Sequence, residues 1–121
     1  MKHVPHPFER KLWRLLDRMG GLYTPRDILE ACHRGEMQMH AEGDSIVVTR
    51  IGNFPRARVL EVIAAIGSID QLRVLHDRIV AFADKENCSV IQAFGRKGWM
   101  ADAKSRGWKV KARAFVYQRE M

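Results

Sequence analysis

Cysteine is scarce in this chain. Cys32 and Cys88 are the only two, they lie far apart, and neither belongs to a CxxC pair. That excludes a disulfide framework and a redox motif and leaves two free, buried thiols as the expectation. No apolar run approaches the roughly 20 residues needed to cross a bilayer, so no membrane partner is expected. His3, His6, His33, His40 and His76 show no metal-ligand spacing, and no metal is expected. No Ser-His-Asp or Cys-His arrangement and no P-loop is present. The opening Met1-Lys2-His3-Val4-Pro5-His6-Pro7 has no apolar core to serve as a secretion signal, which places the chain in the cytoplasm where it is made. Internal repeats and low-complexity stretches are absent too.

What remains is a chain of 121 residues with 46% hydrophobic content. That suits one domain spanning 1–121, with 1–7 as a flexible N-terminal arm and a core large enough to need no staples. The net charge of +7 is unevenly placed. Residues 1–95 carry thirteen Lys/Arg against twelve Asp/Glu, and residues 96–121 carry eight against two. This basic C-terminal block fits an acidic partner, such as nucleic acid, a phosphate-bearing cofactor or an acidic protein face. A solvated face with no partner fits it equally well.

Periodicity orders the elements. Phe8, Leu12, Trp13, Leu15, Leu16 and Met19 recur at helical spacing up to Gly20-Gly21. Thr24-Pro25-Arg26-Asp27 opens a second helix with an N-cap, a proline at the first position and an acid in the first turn, and Gly35 ends it. The period then becomes two through Met37, Met39 and Ala41. Glu42-Gly43-Asp44 turns, and 45–51 is a β-branched strand. Gly52-Asn53-Phe54-Pro55 turns again, into a third strand over 58–66. That strand is apolar almost throughout, which suggests the centre of a sheet. Ser68 and Gln71 match a capping box, and a helix follows to about Glu86, buried along Ile69, Leu72, Leu75, Ile79, Phe82 and Ala83. Residues 89–94 read as another buried strand, 99–106 as a short helix closed by Gly107, and 108–118 as the final strand. A strand–helix–strand crossover makes the third and fourth strands parallel.

This order, ααβββαβαβ, resembles the GNAT (acyl-CoA N-acyltransferase) superfamily over essentially the whole chain, without the family's short opening strand. The most specific likeness runs from Cys88-Ser89-Val90-Ile91-Gln92-Ala93-Phe94 to Gly107-Trp108. The resemblance implies an α/β (α+β) fold, a mixed central sheet with helices on both faces. It also implies an acyl-CoA site where a Gln/Arg-x-x-Gly-x-Gly/Ala loop cradles pyrophosphate at a helix N-terminus. The matching segment here, Ile63-Ala64-Ala65-Ile66-Gly67-Ser68-Ile69-Asp70, has one glycine and an acid in the first turn. Gly67 and Ser68 are the cofactor-binding candidates if acyl-CoA binds. Many members carry a tyrosine general acid four residues before the conserved glycine. Counting back from Gly107 gives Ala103, which has no proton to give, and Asp102 precedes it. No catalytic residue is therefore assigned. Glu61 is the best candidate base, set against a structural role paired with Arg58 or Arg50 or facing solvent at an edge.

The chain is also similar to small GNAT-like proteins encoded among tailed-bacteriophage structural genes. The likeness lies in 45–51, in 59–67, and in Gly95-Arg96-Lys97-Gly98-Trp99 with Gly107-Trp108. It implies a non-catalytic virion or assembly protein of the neck, portal or internal contents, found in the virion and the host cytoplasm. Its partners would be other phage structural proteins, with no cofactor. An active acetyl-CoA-dependent N-acetyltransferase is the first alternative and a nucleic-acid-binding module the second. For the latter, Arg96, Lys97, Lys104 and Arg106 are the anion-contact candidates, Arg96 and Lys97 sitting in a GxxG loop like that of KH domains. Trp13, Trp99 and Trp108 read as core or interface anchors rather than base-stacking platforms.

Overall fold

The computed structural model describes residues 23–93 and 102–109, together with Arg10 and Leu12. Helix α1 (Pro25–His33) opens with a reciprocal cap. Thr24 Oγ1 accepts from the Asp27 N–H at 3.1 Å, and Asp27 Oδ2 accepts from the Thr24 N–H at 2.8 Å. These bonds hold the Asp27 carboxyl below the usual carboxylate range. Strands β1 (Gln38–Glu42), β2 (Ser45–Phe54) and β3 (Ala57–Ile66) form an antiparallel meander. Helix α2 (Ile69–Lys85) then crosses to β4 (Val90–Ala93), which pairs parallel with β3. The sheet order is β1-β2-β3-β4, so β3 is central, as its apolar run suggests.

Helices cover both faces. Ile28 and Ala31 of α1 pack with Leu12, Met37, Val48 and Ala64. Leu72, Leu75, Ile79 and Ala83 of α2 pack with Val47 and Leu60 on the other face. One irregularity shapes this division. Val48 pairs with Ala64 but Thr49 pairs with Val62, so Ile63 is an extra residue, a β-bulge. Before it, Leu60 and Val62 face α2; after it, Ala64 faces α1. Strict alternation would place Ala64 with Leu60. The bulge therefore lets one apolar strand serve two cores.

Three helical segments end alike. The N–H groups of Glu36, Cys88 and Trp108 donate to the carbonyls of Ala31, Ala83 and Ala103. Gly35, Asn87 and Gly107 stand at positive φ in the matching positions, which makes each end a Schellman motif. The Gly107-Trp108 step is thus a helix stop after the helical residues 102–105.

Three expectations change. The second turn lies at Pro55-Arg56, because β2 stays paired as far as Phe54 with Ala57. The capping box at α2 is half made. Ser68 Oγ accepts from the Gln71 N–H at 3.4 Å, but the Gln71 side chain turns instead to Ser45, whose hydroxyl donates to its Oε1 at 2.5 Å. Strand β4 is largely exposed, with only Ile91 joining the α2-side core. It sits at the margin of the described sheet, with β3 the only described strand beside it. Both thiols are free and half-buried. The first helix apart from Arg10 and Leu12, the 95–98 loop and the strand over 110–118 lie outside the described residues.

His40 on β1 stands edge-on to Phe82 of α2, with ring centroids 5.3 Å apart, and burial pushes its imidazole below the ordinary pKa. The unfolded chain then binds the proton more readily. His40's share of stability is therefore full above about pH 6.5 and falls as pH drops below it. Urea unfolding between neutral pH and about pH 5 checks this, and His40→Gln is expected to flatten the decline.

Candidate functional site

Two arrangements could carry chemistry. The first lies on the α1 face of the sheet. Arg50 on β2 and Glu61 on β3 are direct cross-strand partners. Arg50 Nε donates to Glu61 Oε2 at 2.9 Å, and Nη2 stands 2.8 Å from the same oxygen as an ion pair. Its Nη1 donates to the Tyr23 hydroxyl at 2.9 Å. Glu61 therefore pairs with Arg50, one of the two partners expected. Arg58 is engaged elsewhere, donating to the Glu86 carbonyl and to Asn53 Oδ1. Glu61 is not at an edge, since β3 is flanked on both sides. Its Oε1 accepts no hydrogen bond from the described residues. Tyr23 adjoins the Thr24 cap, so the start of α1 fixes the far end of this chain of contacts.

Beside it lies a cleft of about 380 Å³, walled by Tyr23, Asp27, Ala31, Arg34, Met37 and Arg50. Glu61 does not line it; Arg50 and Tyr23 stand between. On another side of the carboxylate is Gly52. A Cβ there would lie 2.8 Å from the Phe54 ring and 3.5 Å from Glu61 Cδ, so glycine lets that ring lie close.

The second arrangement is the β3–α2 junction. The Ser68 N–H donates to Ser45 Oγ at 3.1 Å, and the Gln71 N–H is taken by Ser68 itself. The Ile69 and Asp70 N–H groups have no acceptor among the described residues, so the helix start keeps two free donors. Asp70 leans toward Arg73, 3.6 Å away, which offsets the repulsion an anion would meet. These donors fit a phosphate oxygen, on a loop shorter than the family's. Gly67 has φ +140° and is pressed against Ser45, whose Cα would lie 2.7 Å from an added Cβ.

Arg73 also joins α2 to the C-terminal segment. Its Nε and Nη2 donate to Asp102 Oδ1 at 3.0 and 2.7 Å, holding that carboxyl below the usual range. Trp108 Nε1 donates to His76 Nε2 at 2.9 Å, so Trp108 is an anchor as expected. Of the basic candidates, Lys104 is exposed, and Arg106 lies 3.5 Å from Asp102 and 3.6 Å from Asp77. Arg106 is thus occupied by carboxylates. Arg96 and Lys97 lie outside the described residues. Tyr23 escaped the sequence reading: it is 27 residues from Arg50, and no local pattern marks their contact.

No protein-family model matches the sequence, and no curated protein matches it. Solved structures do. A Trypanosoma brucei acetyltransferase superposes with TM-score 0.69 at 9% identity, over 98% of this chain and 97% of that one. A predicted acetyltransferase of Clostridium acetobutylicum, solved with acetyl-CoA, gives 0.65 at 13%, over 95% and 92%. A ribosomal-protein-alanine N-acetyltransferase of Brucella melitensis gives 0.60 at 14%, over 93% and 94%. The fold is GNAT-like. These neighbours overturn the virion reading, since they are acetyltransferases by name and no phage or virion link appears. That reading rested on a likeness to phage-encoded proteins over 45–51, 59–67, 95–99 and Gly107-Trp108, and its non-catalytic part on missing phosphate-loop and tyrosine signals; a missing motif does not exclude a site built from other residues. No helix among the described residues is long and apolar enough to cross a membrane.

Gly67→Ala is expected to destabilise the fold by about 1–3 kcal/mol, through positive φ and the clash with Ser45. Adding Ser45→Gly removes the side-chain contacts but leaves the Ser45 Cα at 2.7 Å, the strain at positive φ and the lost hydrogen bonds to Ser68 and Gln71, so thermal unfolding of the double variant should show no recovery.

Proposed function

We propose that this protein is an acetyl-CoA-dependent N-acetyltransferase in which Glu61 receives the proton of the acceptor amine. The observation that carries the reading is the Glu61–Arg50–Tyr23 chain on the bulged central strand, beside a cleft of about 380 Å³. The full-length likeness to structures named acetyltransferases supports it.

Gly67, Ser68 and the N–H groups of Ile69 and Asp70 would hold the pyrophosphate, the helix start favouring negative charge. When bound, acetyl-CoA supplies an acyl group activated as a thioester. Glu61 lies six strand residues before Gly67, roughly 20 Å at the usual rise. That is of the order of an extended pantetheine arm. The amine approaches Oε1, the oxygen with no described partner. Ala103 gives no proton to a departing thiolate, so the proton taken by Glu61 is the transfer this chain's own residues perform.

Incubation with acetyl-CoA and a panel of primary amines tests this: spermidine, benzylamine and a peptide with a free amino terminus, with acetylated product read by mass spectrometry. Glu61→Gln is expected to lower kcat by about 10²- to 10⁴-fold without unfolding the chain. Transfer that survives Glu61→Gln unchanged would remove Glu61 from the mechanism.

A further inference from the structure

We propose that Arg50 is the positioning residue of Glu61, holding Oε2 so that Oε1 faces the acceptor amine. This rests on the acetyltransferase reading above. The argument is geometric. Two nitrogens of one guanidinium converge on a single carboxylate oxygen: Nε donates to Oε2 at 2.9 Å, and Nη2 stands 2.8 Å from it as an ion pair. The third points the other way, to the Tyr23 hydroxyl. A planar fork with fixed donor directions, tied at both ends, fixes the carboxylate's orientation. A lysine has one nitrogen and cannot span both partners.

The anchors are themselves held. Arg50 and Glu61 sit on paired strands, and Tyr23 adjoins the capped start of α1. Gly52 lies beside the carboxylate, where an added Cβ would stand 3.5 Å from Glu61 Cδ. Arg50 and Tyr23 line the cleft while Glu61 does not, so the guanidinium is the contact between them.

The test uses the intact chain and its Arg50→Gln, Arg50→Lys and Tyr23→Phe variants, each checked for folding by circular dichroism. With the amine panel, Arg50→Gln is expected to lower kcat about 10- to 100-fold, with KM for the amine unchanged. Tyr23→Phe should give a smaller loss in kcat, and Arg50→Lys should restore only part of it. Full rescue by lysine, or a loss confined to KM, would overturn the proposal. A second readout needs no activity: carbodiimide labelling of Glu61, followed by peptide mass spectrometry. Glu61 should be protected in the intact chain and labelled several-fold faster in Arg50→Gln. Equal labelling overturns the positioning contact whatever the kinetics. If the intact chain transfers no acetyl group, the acetyltransferase reading fails and so does Arg50's catalytic purpose, while the labelling still decides whether Arg50 holds the carboxylate.

Discussion

Strands β2 and β3 are paired along almost their whole lengths, from Ile46 with Ile66 to Phe54 with Ala57, and most other features hang on that ladder. Its two faces supply both cores, Val48 and Ala64 toward α1, Val47 and Leu60 toward α2. It sets Arg50 opposite Glu61 on one face. At its end it brings Ser45 against Gly67, where the hydroxyl takes the Ser68 N–H and anchors Gln71. A register slip of one residue would send Arg50 into the α2-side core and leave Ser68 without its partner. The extra residue at Ile63 is accommodated within this constraint: it changes which face later residues occupy without breaking the pairing on either side.

The helices are placed by their ends as much as by their apolar stripes. Thr24 and Asp27 fix where α1 starts, and hence where Tyr23 stands. Ser68 fixes the start of α2 beside the last residues of β3. The Arg73–Asp102 and Trp108–His76 contacts then tie residues 102–109 to the outer face of α2. Arg106 faces Asp77 and Asp102 in the same cluster. Part of the C-terminal positive charge is therefore matched within the fold, at Arg106.

Much of this was legible in the sequence where the cause is local. The Thr24-Pro25 start, the Ser68 cap, the stop at Gly107 and the stripe along α2 each depend on residues within a turn or two. The GNAT-like layout followed from element order. Contacts between distant segments were not legible. Gln71 satisfies a capping pattern in sequence, yet its side chain serves Ser45, 26 residues away. Ile63 sits in a run so apolar that a change of face leaves no trace in the pattern. Pro55 suggested an earlier end to β2, but pairing continues past Asn53. The candidate site was the least legible part. Glu61 was visible as a carboxylate in an apolar strand, but its contact with Arg50, and that of Arg50 with Tyr23, is a tertiary arrangement.

The proposed transfer to an amine requires first that the chain bind acetyl-CoA. Titration calorimetry of the intact chain with acetyl-CoA tests it most directly. Saturable one-to-one binding, competed by CoA, is expected. No saturable heat from folded protein, at any reachable concentration of acetyl-CoA, would contradict it.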